Sequence, residues 1–522
     1  MAGIGKNIIE NLTTAMYENS YIIYREYIQN SADSIDKAIK AGIVDINEAT
    51  IDISIEYNKR RIIINDNAMG VPKDRFYKTL TDIADSEKDR NLDKGFRGIG
   101  RLGGLAYCEK LIFSTSVKGE DIKSTMIWNG SLLREILADA DQHPSASDLV
   151  DMLVSCRQEK CDVNEHFFEV ILQDVIAESD ELLNESEVID YLQAVAPIPY
   201  VNSFTYRSKI YEFISQKNLR LDEYRILVDG NQLFKQYKNY LYEQNKDKTE
   251  AYDAVSDLEF REFRDKKGDL LAWMWFAITK FEKQIPVVNK MRGIRIRKEN
   301  IQVGNHETLS YPKFYKEARG NYYFIGEIFA THKDLIPNAR RDYFNTNSTL
   351  REFENKLQPV FMRELYDLYH YANKVKKSFQ KTSEYEQKKQ EFNEKLNNAG
   401  FIDSEDRIAA KKDLDEEKTR VDKAARELEL RKKDAEQNKV LNRVFNELQV
   451  QYQPSSSEPI KIQEKNEEED YKKEKKFLSQ SLSKYNRKEQ KMISQIYGII
   501  KAILPKDMAE MVVTKIQEEL SK

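Results

Sequence analysis

Apolar and polar residues follow several distinct rhythms along this chain. Between residues 21 and 40, YIIYREYIQNSADSIDKAIK places Ile23, Tyr27, Ala32, Ile35 and Ile39 at helical spacing and predicts an amphipathic helix. Residues 51–66, IDISIEYNKRRIIIND, alternate on both sides of a polar turn at Tyr57–Arg60 and predict a β-hairpin. A glycine-rich stretch at 95–104 follows, then strands at LIFSTS (111–116) and HFFEVIL (166–172), so residues 1–200 read as one mixed helix-and-strand region. Residues 201–370 form a second, with a buried segment LLAWMWFAI and a strand RGIRIRK. In that strand Ile294 and Ile296 alternate with Arg295 and Arg297, giving an apolar face and a cationic one. Solvent is the expected neighbour of the cationic face, with nucleic-acid phosphates or an acidic client as the functional alternative.

After Pro359 the rhythm changes. No proline recurs until Pro454, and 33 of residues 381–450 are charged. Leu414, Val421, Leu428 and Ala435 recur every seven residues, but Lys, Glu and Ala fill the partner seam, so a long charged helix or coiled coil is expected over 371–450. QPSSSEP and the charges after it predict a flexible linker at 451–475. Apolar spacing returns in 476–522: Ile493, Ile496, Ile500 and Ile503 precede Pro505, and Met508, Val512, Ile516 and Leu520 follow it. That pattern predicts two short amphipathic helices whose faces need a partner, most naturally in a homodimer, with docking back on the parent chain as the plain alternative. The expected class is α+β, with an α/β sandwich first, an α/β middle domain, the long helix and a helical tail.

Composition narrows the field. A chain of 522 residues, 40% hydrophobic, suffices for about three units with real cores. Lys+Arg 83 against Asp+Glu 88 excludes a globally basic nucleic-acid binder, though not a local basic patch. Cys108, Cys156 and Cys161 cannot build a disulfide framework, and five scattered histidines make a structural zinc site unexpected. No apolar run approaches the span of a bilayer, and the first residues lack the pattern of a signal peptide, so a cytoplasmic protein without a membrane segment is expected. DQHPSASD (141–148) has a passing likeness to an endonuclease metal motif but lacks its glutamates, and coincidence is the better reading.

Three clusters carry chemistry. Glu26, Asn30 and Asp33, spaced four and three apart, share one helix face. IIINDNAMGV ends a strand of isoleucines at Asp66, with Gly70 beyond. A carboxylate there can accept from an exocyclic amine, and glycine lets backbone approach a flat ring. GFRGIGRLGG sets Gly95, Gly98 and Gly100 before an apparent helix, offering N–H groups to phosphate oxygens.

In this order the clusters resemble the GHKL (Bergerat-fold) ATPase superfamily of gyrase B, MutL, MORC proteins, histidine kinases and HSP90. YENSYIIYREYIQNSADSIDKAI is most similar to the first helix of the HSP90 (HtpG-type) family, TLTDIADS (79–86) resembles its lid, and DLIPNARRDYF (334–344) its phosphate-sensing middle segment. The resemblance implies ATP and Mg²⁺ as ligands. It implies Glu26 as general base, Asn30 as the metal ligand, Asp66 as the adenine acceptor and Arg341 (Arg340 as fallback) as sensor of the γ-phosphate. Asp33, Lys37, Gly70, Ser86, Gly95, Gly98, Gly100 and Arg101 would complete the nucleotide site, with Lys37 facing the phosphates. Ala68 replaces the first glycine of the family's DxGxG, Asp85 stands at a lid lysine, Arg101 replaces an aromatic residue, and His166 is expected where a threonine flanks adenine. The function expected from this is a slow, ATP-gated chaperone-type clamp closing as a homodimer on a client. The alternative is a MORC/MutL-like DNA-engaging clamp in genome maintenance or antiviral defence, for which Arg295 and Arg297 speak.

Overall fold

The first helix, α1 (Ile22–Lys40), contains neither glycine nor proline and buries Ile23, Tyr24, Tyr27, Ile28, Ala32, Ile35 and Ala38. It stops where Gly42 takes φ 69° and the N–H groups of Gly42 and Ile43 return to Ile39 O and Ala38 O, at 3.1 and 2.9 Å. In this computed structural model, the described residues are 6, 19–82, 100–246, 248–310, 313–397, 400–401, 404–452 and 484–521. Ser86, Gly95, Gly98 and Asp85 lie outside them, as does most of the segment expected as a linker.

An eight-stranded sheet runs in the order β5-β4-β3-β6-β2-β1-β7-β8. Its members are β1 (Thr50–Glu56), β2 (Arg61–Asp66), β3 (Cys108–Ser116), β4 (Ile122–Asn129), β5 (Val154–Lys160), β6 (Phe167–Val175), β7 (Arg225–Val228) and β8 (Asn231–Gln232). The β1–β2 hairpin turns through Arg60 at φ 47°, and all pairings are antiparallel except β1 with β7. Register puts Ile53, Ile64, Val170, Phe113 and Met126 in one row across the sheet, all buried in the core that α1 helps to build. The period of two that predicted the hairpin thus became the inner face of a helix-on-sheet sandwich. Because β7 and β8 complete this sheet, a division at residue 200 cuts across it.

Around the sheet lie α2 (Phe76–Thr81), α3 (Gly130–Ala138), α4 (Ala146–Leu153) and α5 (Glu185–Val195). Ser145 caps α4, accepting from Asp148 N and donating to Asp148 Oδ2, so DQHPSASD is helix-start chemistry. Beyond α6 (Arg207–Gln216) the chain forms a β9–β10 hairpin (Tyr240–Asn245, Lys248–Ala254) and a five-stranded sheet. That sheet orders β11 (Asp257–Arg264), β12 (Leu270–Ile278), β15 (Ile325–Ala330), β13 (Gly293–Lys298) and β14 (Ile301–Val303).

Here the reading of RGIRIRK fails. Arg295 and Arg297 are 4% and 0% exposed, so their face of β13 is interior. Arg297 pairs with the Glu327 carboxylate, donates to Ala194 O at 2.8 Å, and shares Glu327 with buried Lys235 at 3.1 Å. Glu327 also accepts from Tyr200, whose hydroxyl takes the Trp275 indole N–H at 3.0 Å. Arg297 with Lys235 neutralises an internal acid, and Arg295 donates to Gln302 and to Lys290 O, a dry cationic face that an alternating pattern cannot distinguish from a wet one.

By contact density the chain divides into Met1–Thr279 with Lys283–Tyr366, and Lys280–Glu282 with Asp367–Lys522. The first division ends with α7 (Ser348–Pro359), where Pro359 is followed by one π-helical stretch, Val360–Leu365. In the second, the long charged helix or coiled coil expected over 371–450 consists, among the described residues, of three helices: α8 (Tyr366–Asn397), α9 (Ser404–Gln437) and α10 (Lys439–Tyr452). Gly400 closes the first break by donating to Lys395 O at 2.8 Å. Asn438 makes the second, its side chain accepting from Val440 N and Leu441 N. These helices pack within the chain, Tyr371 donating to Arg431 O and Phe379 meeting Phe445 and Tyr452. The tail helices α11 (Arg487–Ile503) and α12 (Lys506–Ser521) bury Tyr497 and Val513 against each other, with Ile493, Ile500, Ile516 and Leu520.

Candidate functional site

Helix α1 has an acidic and amide face that solvent does not claim. Glu26 and Asp33 are 7% and 3% exposed, and Asn30 between them is half-buried. Burying carboxylates costs free energy unless charge or donors answer them, and at Glu26 charge does. Its Oε1 lies 2.7 Å from Arg341 Nε and 3.7 Å from Arg25 Nη2. Its Oε2 sits against Gly100, where an added Cβ would overlap it. The phenol of Tyr191, on α5, belongs to the same neighbourhood, and burial raises its pKa.

Arg341 reaches Glu26 from a tightly held loop. It takes φ 57°, rare for a side chain with a Cβ, donates its N–H to Asn338 O at 3.1 Å and accepts from Gly304 N at 2.8 Å. Backbone held in this region is a strain that surrounding contacts must maintain. Arg340, the fallback, is exposed, and Arg341 is the one that meets Glu26.

The second part of the site lies at the end of β2. Asp66 continues the inward alternation of Ile62 and Ile64 and is 1% exposed. Its Oδ1 accepts from Ala68 N at 3.2 Å, whereas Oδ2 is buried with no hydrogen-bond partner. Burial pushes its pKa up to about 7, opposed by the Ser31 hydroxyl and the Ala68 N–H. Gly70 takes φ 66°, and a Cβ there would strike Ser116 O. Thr115 Oγ1 accepts from Val71 N at 3.0 Å, and Ser34 of α1 accepts from Met69 N at 3.3 Å. Helix α1 therefore touches both parts, Glu26 at one and Ser31 and Ser34 at the other, about 8 and 12 Å apart along its axis.

The structure does not gather every expected residue. Lys37, exposed in the last turn of α1, lies about 16 Å along the axis from Glu26 and is not brought to it. Arg101 turns its Nη2 to Asp82 O at 3.1 Å, and burial lowers its pKa. The residue in register with Asp66 on β6 is Phe168, not His166. His166 precedes the strand and puts Nδ1 3.0 Å from Ala68 O, an arrangement in which the ring donates.

Sequence reasoning also missed Arg25 and Gln29, 4% and 2% exposed. Arg25 Nε and Gln29 Oε1 are buried without a hydrogen-bond partner, whereas Glu26 Oε1 and Arg25 Nη2 are held by charge alone, in the ion pairs with Arg341 and with each other. Orphaned polar atoms beside a buried ion pair are unusual in a finished core and fit a surface built for a polar ligand. With Asp66 Oδ2 as an open acceptor, the residues present suit an amine-bearing base at one end and charged oxygens at the other. For Mg²⁺, which retains waters and takes few protein ligands, the Asn30 amide oxygen is a suitable single donor.

Residues 19–149 match a family described as histidine kinase-, DNA gyrase B-, and HSP90-like ATPase. The chain is 28% identical over 144 residues to a chaperone protein HtpG of Buchnera aphidicola subsp. Acyrthosiphon pisum, covering 24% of this chain and 23% of that protein. A chaperone protein HtpG of Burkholderia cenocepacia is 27% identical over 154 residues, 26% of this chain and 24% of its own. One of Rickettsia rickettsii is 25% identical over 186 residues, 32% and 29% respectively. The chain spans about a quarter of the length of these relatives. The helix-on-sheet sandwich and the match over residues 19–149 agree: the amino-terminal part of this chain is similar to the ATPase domains of that family, those of HtpG chaperones among them.

Proposed function

We propose that this protein binds and slowly hydrolyses Mg-ATP and works as a homodimeric, HSP90-like clamp on a client protein. The observation that carries this reading is the meeting of Arg341 with Glu26, whose other carboxylate oxygen rests against Gly100. The Glu26 carboxylate, its Oε2 beside the Gly100 backbone, suits orienting a water and taking its proton once the Arg341 guanidinium that pairs with Oε1 turns to the charge developing on the phosphates. Asp66 accepts the adenine amine on Oδ2, and Gly70 lets the turn after β2 pack directly on Ser116 O, which holds Asp66 in place. Asn30 holds Mg²⁺, which when bound supplies charge neutralisation to the phosphates. Asp33 supports this face of α1. Ser86, Gly95 and Gly98 retain their proposed part in closing over the phosphates.

Because Arg341 belongs to the segment after β15 and Glu26 to α1, competence depends on the two layers staying docked, and turnover limited by docking is slow. Arg295 and Arg297, which favoured a DNA-engaging clamp, are taken up inside the fold.

The test pairs two substitutions. Glu26→Ala keeps ATP binding by calorimetry and loses phosphate release by about a hundredfold or more, while Asp66→Asn loses binding itself. Normal turnover in Glu26→Ala removes the general-base assignment. An absence of heat from ATP with magnesium in the wild-type protein removes the reading as a whole.

A further inference from the structure

Next to Glu26 on α1 stands a residue that the ATPase reading leaves without a role. Tyr27 is 2% exposed, and its ring fills an apolar position that phenylalanine would fill as well. Its hydroxyl makes two hydrogen bonds to one backbone segment. It donates to Arg101 O at 3.0 Å and accepts from Gly104 N at 3.1 Å. Both contacts fall in the 3₁₀ stretch Gly100–Ala106, whose first residue packs against the Glu26 carboxylate.

Two glycines answer two adjacent helix residues. A Cβ on Gly100 would overlap Glu26 Oε2, and a Cβ on Gly104 would overlap the Tyr27 hydroxyl. The segment is seated separately by Leu102 and Leu105, 2% and 0% exposed, so its burial does not need the hydroxyl. What the hydroxyl adds is a fixed position along and about the axis: a donor and an acceptor on one oxygen engage a carbonyl and an N–H three residues apart. Apolar packing tolerates sliding of a few tenths of an ångström, whereas paired hydrogen bonds do not.

We propose that Tyr27 is a positioning residue for hydrolysis, its hydroxyl holding the Gly100–Gly104 backbone at the spacing from Glu26 that the reaction requires. The proposal rests on the reading of Glu26 as the base in ATP hydrolysis. Nucleotide affinity, which draws on Asp66 and Gly70 at the end of β2 and the turn after it, depends little on it.

The experiment is steady-state ATP hydrolysis by the full-length protein, with Tyr27→Phe, Gly104→Ala and the double variant beside the wild type. Tyr27→Phe is expected to lower kcat about fivefold or more and to change KM less than twofold, because misplacement of catalytic groups acts on the chemical step. Gly104→Ala is expected to lower kcat as well, its Cβ displacing the hydroxyl. In the double variant that clash is gone, so the two losses are expected to be non-additive. Unchanged kcat in Tyr27→Phe overturns the proposal. So does a loss shared equally by kcat and KM with a lowered melting temperature, since that marks general loosening, or strict additivity in the double variant. The underlying reading fails separately: it is overturned when Glu26→Ala retains the wild-type rate, whatever Tyr27→Phe does.

Discussion

Single residues carry the site because each solves a local problem of charge or space. Asp66 was legible as a candidate because a carboxylate closes a run of isoleucines, and alternation put it on their face. Its protonation was not legible, because that depends on how fully the α1 side covers it. With its pKa pushed up to about 7 from an ordinary value near 4, the folded protein holds a proton that the unfolded chain has lost between those values. This group therefore lowers stability as pH rises through that window. Nucleotide binding has the opposite dependence, since the adenine amine needs the carboxylate as acceptor. With a pKa of about 7, the ionised fraction rises roughly tenfold from pH 6 to pH 8, and ATP affinity is expected to rise by about as much. Calorimetry at pH 6 in buffers of different ionisation enthalpy should show about one proton released per nucleotide bound. Affinity flat across this range, with no proton release, would sink the role of Asp66 as acceptor. Arg25 and Gln29 stayed hidden for a related reason. Helical spacing marks apolar stripes, but only the packed partner surface decides whether a polar residue beside the stripe is dry.

At the scale of elements, hairpins and strands were readable where alternation met an interior. Helix ends were missed where one residue decided them, at Gly400 and Asn438, inside sequence whose charge pattern continues on either side. The cationic face of β13 was misread because its acid, Glu327, arrives from β15 about thirty positions later. The turn after β2 gives a clean test of what an element demands. Gly42 and Gly70 have nearly the same backbone, φ 69° and 66°, yet a Cβ on Gly42 meets nothing within 4 Å and one on Gly70 meets Ser116 O. Gly42→Ala should cost about 1 kcal/mol from positive φ alone, measured by denaturant unfolding. Gly70→Ala should cost about 3 kcal/mol or more, because the backbone collision adds to the same term, and it should weaken ATP binding as well. Equal costs for the two would mean that the Asp66–Gly70 turn has room to relax and is not built to a fixed shape.

For the whole molecule, the α+β plan was readable from the change of rhythm along the chain, but the covering of the tail was not. The pattern had left both tail helices without cover, whereas Tyr497 and Val513 bury one face of each against the other. A second stripe remains: Met492, Ile496, Ile499 and Ile503 recur at spacings of four, three and four on α11, and Ile499 and Ile503 are 59% and 73% exposed. Met508 and Met511 extend the apolar surface onto α12. A helical hairpin with one face closed and a heptad-spaced stripe open has the form of half a four-helix arrangement, and in the homodimer proposed above a second copy would supply the matching half through a twofold axis. The stripe is separate from the hairpin core, so Ile499→Glu should leave α11 and α12 folded while placing two carboxylates face to face across the axis. Sedimentation of the full-length chain should then show a dimer for the wild type and a monomer for the variant at the same concentration. If ATP turnover depends on two amino-terminal domains meeting, the variant should also hydrolyse slowly at low micromolar concentration and recover as concentration rises, because the tail no longer supplies a high effective concentration. A monomeric wild type, or a variant that dimerises as tightly, would assign the stripe to something other than a second copy. A monomeric variant with undiminished turnover would leave the tail contact standing and remove dimerisation from the ATPase cycle.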